Sequence, residues 1–286
     1  MTSVIEQRPT RVSELVDRLA SVPGREGRLT HLERLAPRPA HHVEWPSWAA
    51  PDVRAAFVAR GIDRPWRHQV VAADAAQAGH HVVLATGTAS GKSLAYQLPA
   101  LSTIRQARGD RARRGATTLY IAPTKALAAD QLSALAALEL DVRITTHDGD
   151  SGRDQRDWAR DHAEYVLTNP DMLHRSLLPG HARWAHFLGS LRYVVVDECH
   201  HYRGVFGAHV AHVLRRLRRI CASYGAYPTF VLASATVAEP ELAAGRLTGL
   251  DVLAVTDDSS PRGEVFLALW EPPLTSFVGE QGAPVR

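Results

Sequence analysis

From about residue 61 onward, short apolar runs alternate with longer segments of helical period. The runs fall at 81–85, 117–122, 142–146, 165–168, 193–197 and 230–234. Several contain stretches such as VVLA, YVVV and FVLA, apolar at every position rather than at every second one. A strand of that kind must bury both faces, which is the condition of a parallel sheet covered by helices. The intervening segments at 93–104, 125–138, 170–177, 207–221 and 240–247 have the length and period of the covering helices. The pattern predicts an α/β fold with a doubly wound, mostly parallel sheet. Ligands of such sheets bind beyond the carboxyl ends of the strands, so the chemistry is expected in the loops that follow the apolar runs.

Residues 1–60 read differently. Val12, Leu15, Val16 and Leu19 recur at helical spacing, and Pro37, Pro39, Pro46 and Pro51 then break regularity around Trp45 and Trp48. A short helix followed by an extended arm packed on the main domain is the expectation. The anticipated division is an N-terminal appendage at 1–60, the α/β domain at 61–257, and a linker leading into a second domain at 258–286. The charged stretch RGDRARRG at 108–115 reads as a solvated loop, with phosphate contact as the alternative.

Composition narrows the class. Two cysteines, Cys199 and Cys221, are too few for a disulfide framework or a four-cysteine zinc site. The opening residues MTSVIEQRPT carry no signal-like apolar core, and no apolar stretch reaches the ~18 residues of a membrane span. The cytoplasm is the expected location. A net charge of +3 permits a polyanionic partner without requiring one. Adjacent histidines, as at His200-His201, point different ways on a helix or strand, which argues against a shared metal.

The run HVVLA leads directly into Thr86-Gly87-Thr88-Ala89-Ser90-Gly91-Lys92-Ser93 and then a helical segment. Strand, small-residue loop and helix are the context of a P-loop. Backbone N–H groups of the loop wrap a phosphate, helped by the positive end of the helix. Lys92 suits the β- and γ-phosphates, and the Ser93 hydroxyl suits Mg²⁺. The leading glycine of the usual pattern is replaced by Thr86.

The run YVVV ends in Asp197-Glu198-Cys199-His200. Two carboxylates ending a buried strand are costly unless solvated or paired, so a chance acidic pair is a poor explanation. Asp197 sits where P-loop enzymes hold Mg²⁺, and Glu198 beside it suits a general base toward water.

Taken in order, these motifs resemble superfamily 2 DEAD/DEAH-box helicases. Motifs I and II are the P-loop and DECH, and Ser234-Ala235-Thr236 resembles motif III. Pro123-Thr124-Lys125-Ala126-Leu127-Ala128 is similar to motif Ia, and Thr168-Asn169-Pro170 to the threonine-proline motif. Arg67-His68-Gln69 resembles the end of a Q motif. The resemblance spans about residues 61–273. More finely, 200–220 and 260–273 look like the bacterial mitomycin-repair helicases and their fungal DNA-repair relatives, which are 3′→5′ DNA helicases.

The resemblance implies a RecA-like domain using ATP and Mg²⁺ on nucleic acid, with DNA expected. It implies that Gln69 reads adenine, that Thr86, Gly87, Thr88, Ala89, Ser90, Gly91, Lys92 and Ser93 hold the nucleotide, and that Ser93 and Asp197 hold Mg²⁺. Lys92, Asp197 and Glu198 would be catalytic. Thr124, Lys125, Thr168 and Asn169 would touch the nucleic-acid backbone, and His200, Ser234 and Thr236 would couple the two sites. Superfamily 2 motors use a second RecA-like domain with a Q-x-x-G-R-x-G-R arginine motif, which these 286 residues do not contain. A fragment or truncated reading frame, weak in ATP turnover alone, is the expectation. A non-catalytic binding module, or a subunit of an RNA helicase or duplex translocase, stays open as the alternative.

Overall fold

The computed structural model describes residues 11–23, 27–109, 115–150 and 152–272. Residues 110–114 of the charged loop, the first ten residues and the last part of the anticipated linker lie outside this description.

The chain divides into two compact units. The larger, His41–Ser260, is built on a parallel seven-stranded sheet. Its strands are β2 (Val82–Ala85), β3 (Thr117–Ile121), β4 (Ile144–Thr146), β5 (Tyr165–Thr168), β6 (Leu191–Val196), β7 (Thr229–Ser234) and β8 (Leu253–Val255). Their spatial order is β4-β5-β3-β6-β7-β2-β8, and every neighbouring pair is parallel. The helices are α2 (Pro51–Ala59), α3 (Arg67–Gln77), α4 (Ser93–Gly109), α5 (Lys125–Ala136), α6 (Arg153–His162), α7 (Pro170–Met172), α8 (Ala185–Gly189), α9 (Gly204–Ser223) and α10 (Pro240–Thr248). A π turn, Leu173–Leu177, continues α7, and a 3₁₀ turn, Cys199–His201, follows β6.

Successive residues of a strand point to opposite faces, and the two cores follow that alternation. Val82, Leu84, Tyr120, Tyr165, Val195 and Val231 join one core with Ala72, Leu98 and Leu135 of α3, α4 and α5. Val83, Leu119, Ile121, Val166, Val194 and Leu232 join the other with Ala159, Leu214 and Leu247 of α6, α9 and α10. The continuous apolar runs are explained by this double covering.

Residues 41–60 go with the larger unit. Trp45, Val53 and Phe57 are buried in its first core, the Trp45 and Phe57 rings stacked at 6.1 Å. The smaller unit comprises Met1–Ala40 and Pro261–Arg286. Within it lie α1 (Arg11–Ala20) and an antiparallel pair of β1 (Leu29–Leu35) with β9 (Val265–Trp270). Arg34 is ion-paired with Glu264 and stands over the Phe266 ring. Part of the expected arm is thus a strand, paired with the apolar run VFLALW from the other end of the chain.

The turn after β6 is fixed to α9 by a close approach. A Cβ on Gly207 would stand 2.6 Å from the carbonyl carbon of Tyr202 and closer still to its oxygen. Backbone cannot yield as a side-chain tip does. Gly207→Ala is therefore expected to lower stability by about 1–3 kcal/mol, the usual overpacking range. Urea unfolding checks this, and an unchanged midpoint contradicts the packing.

Candidate active site

Because all seven strands run the same way, their carboxyl ends collect at one edge of the sheet. β2 opens there into the loop 86–92, β6 into Asp197-Glu198, β7 into Ala235-Thr236, β3 into Thr124-Lys125, and β5 into Asn169.

The phosphate-type loop is held from inside. Thr86 and Ser90 share a side-chain hydrogen bond of 2.6 Å, and the Ser90 hydroxyl also donates to the Gly87 carbonyl. Ala89 and Gly91 both take left-handed backbone, with φ of 60° and 61°. Alternation of that conformation turns successive N–H groups toward one concavity, the geometry of an anion nest. The Lys92 ammonium donates to the carbonyls of Thr86 at 3.3 Å and Gly87 at 2.8 Å. Thr88 is exposed at the tip. An anionic group already meets this loop: the Gly87 N–H donates to the Asp258 carboxylate at 3.3 Å. The loop therefore fits a phosphate by its own donor chemistry.

Gln69 lies beside the loop, with both ends of its amide hydrogen-bonded. Its Oε1 accepts the Trp66 N–H at 2.8 Å, and its Nε2 donates to the Gly91 carbonyl at 2.8 Å. A Cβ on Gly91 would stand 2.5 Å from that Nε2 and 3.0 Å from the Trp66 ring, so this glycine meets both a positive φ and a close approach. His68 is a second brace that the sequence reading did not weigh. It is buried, its Nε2 faces the Ser90 carbonyl at 2.8 Å, and its Nδ1 faces Ser259. Trp66, Gln69, Gly91 and Ser93 share a cleft of about 620 Å³ with Ile62 and Leu94.

The acidic pair is joined to the loop through tyrosines. Asp197 is buried; its Oδ2 accepts the Tyr120 hydroxyl at 2.6 Å and the Tyr96 hydroxyl at 3.0 Å. Its Oδ1 accepts the Glu198 N–H at 2.9 Å. Ser93 and Tyr96 stand three residues apart in the first turn of α4. Burial, reinforced by nearby negative charge, holds both hydroxyls well above their ordinary pKa, so both stay donors. Hydroxyl and carboxylate oxygens in one cluster form the hard donor set that suits Mg²⁺. Glu198 has left-handed backbone, φ 46° and ψ 42°, which costs a side-chain-bearing residue about 1–2 kcal/mol.

His200 connects this group to the next strand. Its Nδ1 accepts the Ala235 N–H at 3.2 Å and lies 3.1 Å from Glu198. Burial lowers its pKa, against the opposing pull of the Glu198 carboxylate. Ser234 is buried beside Cys199, and Thr236 is exposed. Burial pushes the Cys199 thiol up to about 12. The 3₁₀ turn also sets the His200 and His201 rings 4.4 Å apart, and one ligand atom each of Glu198, His200 and His201 lie within 4.8 Å of one another. Adjacent histidines do not diverge here, because neither helix nor strand spacing applies to that turn.

Thr124, Lys125, Thr168 and Asn169 form a separate neighbourhood on the same edge. Thr124 and Asn169 cap α5 and α7 by accepting the Leu127 and Met172 N–H groups. Thr168 donates to the His147 carbonyl at 2.7 Å, and Lys125 pairs with Asp150 at 2.6 Å. The loop 147–150 therefore ties the ends of β3 and β5 together.

The class that this sheet and edge define is the RecA-like P-loop domain. The family model of DEAD/DEAH box helicases matches residues 66–244, and the protein belongs to that family. It is similar to YprA, an uncharacterized ATP-dependent helicase of Bacillus subtilis, at 40% identity over 266 residues, covering 92% of this chain and 35% of that one. With the ATP-dependent helicase hrq1 of Schizosaccharomyces pombe it shares 35% identity over 275 residues, covering 92% and 25% respectively. The crystal structure of the DUF1998 helicase MrfA bound to DNA matches with a TM-score of 0.86 at 38% identity, over 94% of this chain and 37% of that one. A second MrfA structure, bound to DNA and AMPPNP, gives 0.85 at 38% identity, over 92% and 36%. The chain thus spans about a third of the Bacillus relative and a quarter of the fission-yeast one. Among the described residues, no helix is long and apolar enough to cross a membrane.

Proposed function

We infer that this chain is the ATP-binding motor domain of an ATP-dependent DNA helicase of the 3′→5′ DNA-repair type, acting with a second RecA-like domain. The observation that carries this reading is the hydrogen bond from Tyr96, in the first turn of the helix that opens at Ser93, to Asp197 at 3.0 Å, which sets the acidic pair against the helix of the phosphate loop. Lys92 is released from the Thr86 and Gly87 carbonyls to meet the β- and γ-phosphates. Ser93 and Asp197 would hold Mg²⁺, whose charge would offset that of the phosphates. Glu198 takes the proton of the attacking water. His200 and Ala235 pass the change at Glu198 to the end of β7. Thr124, Lys125, Thr168 and Asn169 bear on the nucleic-acid backbone, which positions a strand without reading its sequence.

DNA is preferred over RNA because the MrfA structures, at 38% identity, are described as bound to DNA. Turnover by the 286 residues alone is slow, since they contain no arginine motif and an arginine finger contributes about 10³–10⁵ in rate. Binding of a fluorescent ATP analogue, and ATPase rates with single-stranded DNA, duplex DNA and RNA, test the proposal. The expected result is Mg²⁺-dependent binding with slow turnover, raised most by single-stranded DNA. Nucleotide binding indifferent to Mg²⁺, or stimulation by RNA alone, contradicts it.

A further inference from the structure

Next to the backbone-contacting edge, but outside the family motifs, lies a cavity of about 700 Å³ lined by His147, Arg153, Arg156, Asp157, Arg160, Ser176, Arg183 and Trp184. Arg160 is neutralised by Asp157 and Asp161. Among the described residues, Arg153, Arg156 and Arg183 have no carboxylate partner. Three uncompensated guanidinium groups around one cavity repel one another unless an anion joins them.

Two buried atoms here also lack a partner. His147 is 2% exposed, with its Nε2 on the Ser176 hydroxyl at 3.0 Å and its Nδ1 bonded to nothing. The Nε of Arg156 is likewise buried and unsatisfied, while its terminal nitrogen donates to the Gly149 carbonyl. An orphaned buried donor costs about 1–3 kcal/mol, so its presence points to a group that completes the site. Ser176 belongs to the π turn, a distortion found frequently at functional sites.

The cavity is tied to the proposed strand path through the loop 147–150. The loop 147–150 has Lys125 on one side, through Asp150, and Arg156 on the other, through Gly149. The carbonyl of His147 accepts from Thr168, and Ser176 lies just beyond Asn169 along α7 and its π turn. Resting on the nucleic-acid reading above, we propose that this pocket takes a phosphodiester group of the bound strand, held by Arg153, Arg156 and Arg183. Guanidinium forks suit a phosphate's paired oxygens better than a lysine does.

The test is the salt dependence of binding of a fluorescein-labelled oligo(dT) to this chain, followed by anisotropy. In Arg156→Ala/Arg183→Ala, affinity at low salt should fall about tenfold or more. The log–log salt slope should shrink by about 0.7, the value for one phosphate of a single strand. Arg156→Lys/Arg183→Lys should regain the slope by keeping the charge. Arg192→Ala, an exposed charge at the opposite end of β6, should leave it unchanged. Binding of the ATP analogue to each variant reports that it is folded.

A slope equal to wild type in the double alanine variant overturns the proposal; if Lys125→Ala still weakens binding, the DNA reading survives. Inorganic phosphate that shifts the His147 imidazole ¹⁵N signals, with oligo(dT) binding unaffected by the arginine changes, assigns the pocket to free phosphate and overturns it too. A wild-type chain that binds nucleotide but no oligonucleotide overturns both readings.

Discussion

Glu198→Gln is expected to retain Mg²⁺-nucleotide binding while hydrolysis falls by about 10²–10⁴, the usual contribution of a positioned general base. The substitution keeps shape and removes the charge together with the ability to take a proton. Lys92→Ala is expected to behave differently. It removes the ammonium that now rests on the Thr86 and Gly87 carbonyls, and so weakens binding and hydrolysis together. Single-turnover phosphate release, with binding measured separately, distinguishes the two even against a slow wild type. Equal defects in both steps for both variants contradict the assigned roles. The His200–Ala235 hydrogen bond uses no atom of Glu198, so its replacement leaves that link in place.

The second large effect concerns the tyrosines that hold Asp197. Tyr96→Phe/Tyr120→Phe strips Asp197 Oδ2 of both hydroxyl donors and leaves a buried carboxylate with the Glu198 N–H on its other oxygen. Hydrogen bonds to charged groups contribute about 1.5–3 kcal/mol each. Because the two share one acceptor atom, the double loss is expected to reach about 3–6 kcal/mol without being strictly additive. That is a large part of a domain's usual stability. Tyr193→Phe is the control, since its hydroxyl donates to neutral Gln77 at 3.0 Å and its loss should cost about 0.5–1.5 kcal/mol. Denaturant unfolding of the three proteins checks the ranking. A double variant no less stable than Tyr193→Phe means that the tyrosines do not sustain Asp197.

The sheet was readable because strands covered on both faces leave unbroken apolar runs, as in VVLA and YVVV. The phosphate loop was readable because strand, small-residue loop and helix stand in register with Lys92 and Ser93. Helix α6 was not, since RDQRDWARDH buries little more than Ala159 and leaves no apolar stripe. The β1–β9 pair was not, because partners from opposite ends of the chain leave no local trace of their pairing. The reach of the larger unit back to His41 was hidden among prolines that read as an arm, although Trp45 and Phe57 bury there. Tyr96 and Tyr120 look like core aromatics in a sequence; their polar task depends on which buried carboxylate they face. The amide of Gln69 is a similar case. The family resemblance implied an adenine reader, and the structure adds a brace between Trp66 and Gly91 that adenine would have to share or displace.

The central claim is that Lys92, Ser93 and the Asp197–Glu198 pair serve one metal-bound nucleotide. Crystals grown with a non-hydrolysable ATP analogue and Mn²⁺ test it directly, by anomalous scattering from the ion. The account predicts Mn²⁺ bonded to the Ser93 hydroxyl and linked to Asp197, with Lys92 on the terminal phosphates. An ion bound to His200 and His201 instead, or a triphosphate lying away from Lys92, contradicts it.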